Sequence, residues 1–274
     1  MTIPATDRVP AVNGIPAFGL GTWQNTDPEA CTNSVKRAIE MGYRHIDTAQ
    51  VYENEQAVGK GIAQASVSRD ELFIATKVWI DNLAHDDVIE STKESLSRLQ
   101  LDTVDLLYVH WPAGAYDPEE TLPAFDELYS DGYINGIGVS NFEPRHLDQA
   151  RDILDTPIMA NQVECHPMLQ QPELRKYADQ HGHALVAYSP LARGGVFEND
   201  TIVSIAESHG VSAAQVSIAW LLEQGTVPIP KATSTDHIED NYEALTLELS
   251  NEEIERINNI SERERKVDPD FAPW

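Results

Sequence analysis

At 274 residues with 41% hydrophobic side chains, the chain has material for one large α/β domain or two small ones, and no run approaches the roughly 18 apolar residues of a membrane helix. Asp and Glu number 45 against 19 Lys and Arg, and a net charge of −26 argues against a nucleic-acid partner. Two cysteines, Cys31 and Cys165, form no disulfide framework and lack metal-ligand spacing, so two reduced thiols in a cytoplasmic protein and no bound metal are expected.

The acidic residues are dispersed. Asp27 and Glu29, Asp86 and Asp87, Asp117 with Glu119 and Glu120, Glu198 with Asp200, and Glu252, Glu253 and Glu255 read as solvated helix starts or loops. Uniform acidity with few lysines points to a salt-loving host, because salt screens the self-repulsion of such a chain. The opening Met1-Thr-Ile-Pro-Ala-Thr-Asp7 shows neither a basic stretch nor an apolar run, so no secretory signal is expected.

In chain order, Val12-Asn-Gly-Ile15 reads as a hairpin turn and Gly19–Thr22 as a short strand. Pro28 opens a helix with Cys31, Val35, Ala38 and Ile39 on one face and Gly42 as its stop. Strand-like runs follow at Arg44–Asp47, Leu72–Lys77, Val104–His110, Ile137–Ser140, Met159–Val163, Ala184–Tyr188 and Thr226–Ile229. A helix from Ser212 turns Val216, Ala219 and Trp220 inward before Gly225, and Ser250-Asn-Glu-Glu253 is a capping box ahead of Ile254 and Ile257. Eight strands alternating with helices predict a (β/α)8 TIM barrel preceded by an N-terminal β-hairpin, a single domain over 1–274. An open dinucleotide-binding sheet would want Gly-x-Gly-x-x-Gly after the first strand, whereas Gly19-Leu-Gly21 continues as Thr-Trp-Gln24.

Barrel chemistry is placed at the C-terminal ends of strands. Asp47, Lys77 and His110 end the second, third and fourth strands, and Tyr52 lies in the loop after Asp47. Strands about 4.8 Å apart let these side chains converge. Singly, each has a plainer reading: Asp47 as a helix cap, Tyr52 as a surface ring, Lys77 as a snorkelling cation, His110 as a core histidine. Together they suit delivery of a proton to a carbonyl oxygen while hydride reaches the carbon. Lys77, held charged by Asp47, is expected to lower the pKa of the Tyr52 phenol, and neutral His110 to donate to the carbonyl oxygen.

These stretches resemble the aldo-keto reductase superfamily, whose signature Gly-Tyr-Arg-His-Ile-Asp-Thr-Ala-x-x-Tyr-x-Asn-Glu stands at residues 42–55. Lys77-Val-Trp-Ile-Asp-Asn-Leu83 and the closing Phe271-Ala-Pro-Trp274 narrow the resemblance to prokaryotic 2,5-diketo-gluconic acid reductases. The resemblance implies NAD(P)H-dependent reduction of an aldehyde or ketone by the tetrad Asp47, Tyr52, Lys77 and His110. It also implies that Ser140, Asn141 and Gln162 hold the nicotinamide carboxamide, that Tyr188 stacks on the ring, and that Ser189 and Leu191 approach the pyrophosphate. Thr22, Trp23 and Asp47 join that cofactor set. In Ile229-Pro-Lys-Ala-Thr-Ser-Thr-Asp-His237 the family's grip on the 2′-phosphate of NADPH is altered. Lys231 remains, Ala232 replaces Ser and His237 replaces Arg, while Thr233 and the next helix start offer partial anion sites. Asp240 and Asn241 match the pair near adenine. NADPH is expected, with NADH or dual use as the alternative.

The substrate, a small carbonyl compound, would be lined by Trp23, Tyr52, Trp79, His110, Trp111 and Trp274. A monomer without membrane or nucleic-acid partners is the family expectation. Two other readings stand beside this one: a barrel hydrolase using Asp47 and Glu164, and a nicotinamide-sensing regulatory subunit.

Overall fold

The structure, a computed structural model, describes residues 11–274. A short antiparallel pair, β1 (Ala11–Val12) and β2 (Ile15–Pro16), is joined by Asn13 at φ 50° and Gly14 at φ 83°. Two consecutive left-handed residues make the tight turn that Asn-Gly favours. Then come β3 (Gly19–Gly21), α1 (Pro28–Met41), β4 (His45–Asp47), α2 (Glu55–Gln64), β5 (Phe73–Val78), α3 (His85–Leu99), β6 (Leu106–Val109) and α4 (Pro118–Ser130). The second half runs β7 (Ile137–Ser140), α5 (Pro144–Ile153), β8 (Ile158–Glu164), α6 (Pro172–His181), β9 (Ala184–Tyr188), α7 (Asp200–His209), α8 (Ala213–Glu223), β10 (Val227–Pro228), α9 (Thr235–Glu243) and α10 (Asn251–Asn258). The chain departs from strict alternation where β9 is followed by two helices and where α10 is appended after α9.

Strands β3 to β10 pair in sequence order, all parallel. The sheet closes where Gly21 N–H donates to Pro230 O at 3.1 Å and Gly21 bridges to Lys231. A Cβ on Gly21 would stand 2.7 Å from Ile229 O, so the seam depends on that glycine. Pro228 and Pro230 lack an N–H, which is why β10 is the thinnest part of the barrel wall.

Side-chain alternation divides the strands between two cores. Ile74, Val78, Leu107, Val109 and Val139 face the helices, whereas Ala75, Leu106, Tyr108, Ala160 and Val186 fill the barrel. Ile15 belongs to the inner cluster, so the hairpin plugs the bottom of the barrel. The same alternation turns Asp47, Lys77, His110, Ser140, Gln162 and Glu164 inward at the top. Among the described residues, no helix is long and apolar enough to cross a membrane, and no group of acidic, His and Cys side chains is arranged to hold a metal ion.

Candidate active site

A cleft of about 1000 Å³ opens at the C-terminal ends of the strands. Its floor is a buried ion pair. Lys77, fully buried on β5, donates from Nζ to Asp47 Oδ1 and, at 2.8 Å, to Thr48 O. The other Asp47 oxygen accepts Gln162 Nε2 at 2.7 Å, and the Asp47 backbone oxygen accepts Thr22 Oγ1 at 3.0 Å. Asp47 is therefore fixed from β5, from β8 and from the residue that follows β3, and in turn fixes Lys77. The register that sets Lys77 opposite Tyr108, and Tyr108 opposite Gly138, stacks this pair on the barrel core.

Tyr52 ends a short 3-10 turn over Gln50–Tyr52, and its ring centroid lies 5.1 Å from Lys77 Nζ. His110 crosses the Tyr52 ring edge-on at 5.8 Å and the Trp79 ring edge-on at 5.2 Å. Its Nδ1 is buried without a partner among the described residues, which leaves Nε2 to face the cleft. Burial, with Lys77 nearby, holds the His110 pKa well below its ordinary value, so the ring is neutral. Burial also pulls the Lys77 pKa down, opposed by Asp47.

The expected lowering of the Tyr52 pKa is corrected by the structure. Burial, then the charges of Asp47 and Tyr188, push the phenol well above its ordinary value. Ionising the phenol away from water is costly, and the nearby charge of Asp47 adds to that cost.

On the opposite wall, Ser140, Asn141 and Gln162 line the cleft side by side from β7 and β8. Ser140 Oγ donates to Gln162 O at 2.8 Å, Asn141 Nδ2 donates to His110 O at 3.1 Å, and Tyr188 OH donates to Asn141 Oδ1 at 2.8 Å. Tyr188 is thereby held by its hydroxyl with its ring toward the cleft. Thr22, Trp23, Ser189, Leu191 and Lys231 line the same opening. Of the remaining cofactor candidates, Ala232 is buried, Thr233 half-buried, and His237 exposed in the first turn of α9, its N–H donating to the capping Ser234 Oγ. Asp240 accepts Ser212 Oγ at 2.7 Å, and Asn241 is buried beside it.

The aromatic wall comes together as Trp23, Tyr52, Trp79, His110 and Trp111. Trp274 lies outside the lining: it packs on Trp111 at 5.5 Å, under the Arg265 guanidinium, and Phe271 takes the place at the wall. The sequence reading passed over Phe271, Val51 and Arg193, which all line the cleft. It also passed over Gln50, whose Oε1 accepts Trp79 N–H at 2.9 Å and Asn82 Nδ2 at 3.1 Å. A glutamine beside a signature tyrosine carries no pattern of its own. The hydrolase reading loses its footing, because Asp47 is committed to Lys77 and Gln162, and Glu164 is fully buried and hydrogen-bonded on both oxygens.

The cleft thus brings together a lysine–carboxylate pair, a phenol, a neutral imidazole, a Ser-Asn-Gln row and an anchored ring. Residues 12–262 match the aldo/keto reductase family. The chain belongs to that family of oxidoreductases. It is 42% identical over 261 residues to the glyoxal reductase of Bacillus subtilis (strain 168), covering 94% of each chain. Among solved structures, it superposes with TM-score 0.92 and 34% identity on a provisionally assigned 2,5-diketo-D-gluconic acid reductase B, covering 96% of this chain and 95% of the other. It superposes with TM-score 0.86 and 33% identity on a Bombyx mori aldo-keto reductase in complex with NADP, covering 93% and 92%.

Proposed function

We propose that the protein reduces small aldehydes and α-oxoaldehydes with NADPH, taking the proton for the carbonyl oxygen from Tyr52. The observation that carries this reading is the convergence of Tyr52 and His110 Nε2 on one cleft above the Lys77–Asp47 pair. The aromatic wall and the likeness to a glyoxal reductase favour a small carbonyl compound.

The residues present fit a nicotinamide dinucleotide. Ser140, Asn141 and Gln162 offer amide and hydroxyl groups where a carboxamide would need them, and the anchored Tyr188 offers a flat face. Ser189 and Leu191, which line the cleft, would meet the pyrophosphate. Lys231, Thr233, His237 and the α9 N-terminus would meet a 2′-phosphate, with Asp240 and Asn241 toward adenine. When bound, the cofactor supplies hydride to the carbonyl carbon. The chain does the rest. His110 donates from Nε2 to the carbonyl oxygen and orients it, Tyr52 transfers its proton to that oxygen, and Lys77, pinned by Asp47, steadies the charge left on the ring.

Mixing the protein with NADPH and methylglyoxal should give steady loss of reduced-cofactor absorbance. Tight NADPH binding without turnover of this or other small aldehydes would sink the enzyme reading and favour a sensor.

NADPH should be used several-fold more efficiently than NADH, because Lys231 survives while the guanidinium is absent. His237→Arg should lower the KM for NADPH about tenfold, as a charged hydrogen bond is worth about 1.5–3 kcal/mol, and leave the carbonyl KM unchanged. Equal efficiency of the two cofactors in the unaltered protein would remove the preference.

The net charge of −26 supports adaptation to a salt-rich interior. The melting temperature should climb between low and molar KCl as repulsion is screened. A flat or falling trend would dismiss that adaptation.

A further inference from the structure

After Ile260 the chain forms no helix or strand, yet this tail supplies Lys266, Val267, Asp268, Pro269 and Phe271 to the cleft. Without a ladder to hold it, its position must come from individual contacts. Most are at the surface: Arg145 Nη2 donates to Pro273 O at 2.9 Å, and Trp274 Nε1 donates to Asp268 Oδ1 at 2.9 Å. Glu264 N–H reaches Met168 O at 3.0 Å.

One contact differs in kind. Glu164, the last residue of β8, is fully buried. Its Oε1 accepts Lys266 N–H at 2.7 Å, and its Oε2 accepts Val267 N–H at 2.9 Å. His166 Nε2 meets Oε1 at 2.9 Å. Two consecutive amides are thus gripped by one carboxylate out of water, where a charge-assisted hydrogen bond is strong and an unpaired group is costly.

The strand that carries this carboxylate also carries Gln162, which holds Asp47, and Glu164 stands in register with Tyr188. The tail in turn carries Phe271 against Trp79 at 6.1 Å and against Trp111 at 5.4 Å.

We propose that Glu164 is a positioning residue that sets the far wall of the substrate pocket by clamping the amides of Lys266 and Val267. It touches neither substrate nor cofactor. Its identity fixes how tightly the carbonyl compound is enclosed, while the proton-donating machinery on β4 to β6 stands without it. This inference rests on the proposed carbonyl reduction only for its kinetic readout.

The test is Glu164→Gln in the full chain. The amide keeps the shape, but its NH2 now faces an N–H donor, so one half of the clamp opens. The KM for methylglyoxal should rise about tenfold, with kcat within about threefold and NADPH affinity within about twofold. Limited trypsin digestion should cut after Arg265 and Lys266 about tenfold faster than in the unaltered protein, the barrel staying intact. The digestion readout holds even if methylglyoxal is not turned over, so failure of the clamp and failure of the enzyme reading are distinguishable. An unchanged KM with unchanged cleavage overturns the proposal. So does a uniform loss of kcat, cofactor affinity and protease resistance, which would mark a general structural role. Should the variant fail to fold, hydrogen exchange on the unaltered protein decides: the Lys266 and Val267 amides should exchange far more slowly than those of Asp268 and Phe271, and exchange as fast as theirs overturns the clamp.

Discussion

Tyr52→Phe is expected to lower kcat by about 10³ while the NADPH dissociation constant stays within about twofold. A positioned general acid contributes roughly 10²–10⁴ to rate, and the hydroxyl is used only in the chemical step. The substitution keeps the ring that lies 5.1 Å from Lys77 and packs edge-on against His110, so the pocket keeps its shape. The raised pKa of the phenol is compatible with this role. The oxygen that receives the proton becomes an alkoxide-like centre, a far stronger base than a phenolate, so a weak acid still delivers downhill. It also fixes the pH dependence. A tyrosine held well above its ordinary value keeps its proton, and a histidine held well below its ordinary value stays neutral. Neither group therefore titrates near neutrality, and kcat/KM for reduction should be level from about pH 6.5 to 9. Stopped-flow single turnovers with NADPH and methylglyoxal would separate chemistry from release. A Phe variant with near-normal single-turnover rate would remove Tyr52 from the role of donor.

Barrel topology was readable because strand and helix periods alternate in eight cycles, each strand run ended close to where a strand ends in the structure, and Asn13-Gly14 specified its turn. The catalytic cluster was readable for a related reason. Asp47, Lys77 and His110 share inward parity at strand ends, and sequence exposes parity and position directly. What sequence could not expose is where charge goes once side chains meet. The Lys77–Asp47 pair was foreseen and is present, but the depth of burial of Tyr52 was not, and burial first, then the charge of Asp47, raises the phenol pKa that the ammonium was expected to lower. Trp274 fails for another reason. The tail has no periodicity to orient it, so nothing in Phe271-Ala-Pro-Trp274 tells that Phe271 faces the cleft and Trp274 packs behind. Glu164 drew notice only as one of two carboxylates. Its partners are backbone amides more than a hundred residues away, a relation that leaves no local trace.

Breaking the buried pair should separate stability from catalysis. In Asp47→Ala the ammonium of Lys77, with no exposed surface, keeps Thr48 O as its one acceptor among the described residues. Removing one partner of a buried ion pair costs about 3–5 kcal/mol. For a chain of this size the melting temperature should fall by roughly 6–20 °C, at about 2–4 °C per kcal/mol. The deficit carries a pH signature. Burial already lowers the Lys77 pKa with Asp47 opposing it, and deletion of Asp47 removes the opposition. A lysine whose folded pKa is depressed penalises the native state while the unfolded chain holds the extra proton, so the penalty is full at low pH. It shrinks as pH rises through the folded pKa and vanishes above the unfolded value near 10.4. Thermal melts of the variant should therefore converge on those of the unaltered protein as pH climbs from about 7 toward 10. The double variant Asp47→Asn with Lys77→Met has no buried charge, and the oxygen of the introduced amide can still accept from Gln162. It should regain most of the lost stability, as buried pairs often do when replaced by apolar groups of similar size. Reduction should stay depressed in both variants, since in Asp47→Ala the ammonium is no longer pinned in place and the double variant has no ammonium to steady Tyr52 after it gives up its proton. A double variant as active as the unaltered protein would show that the pair serves folding alone, and an Asp47→Ala melt within a degree of the unaltered protein would show that Lys77 is neutral from the start.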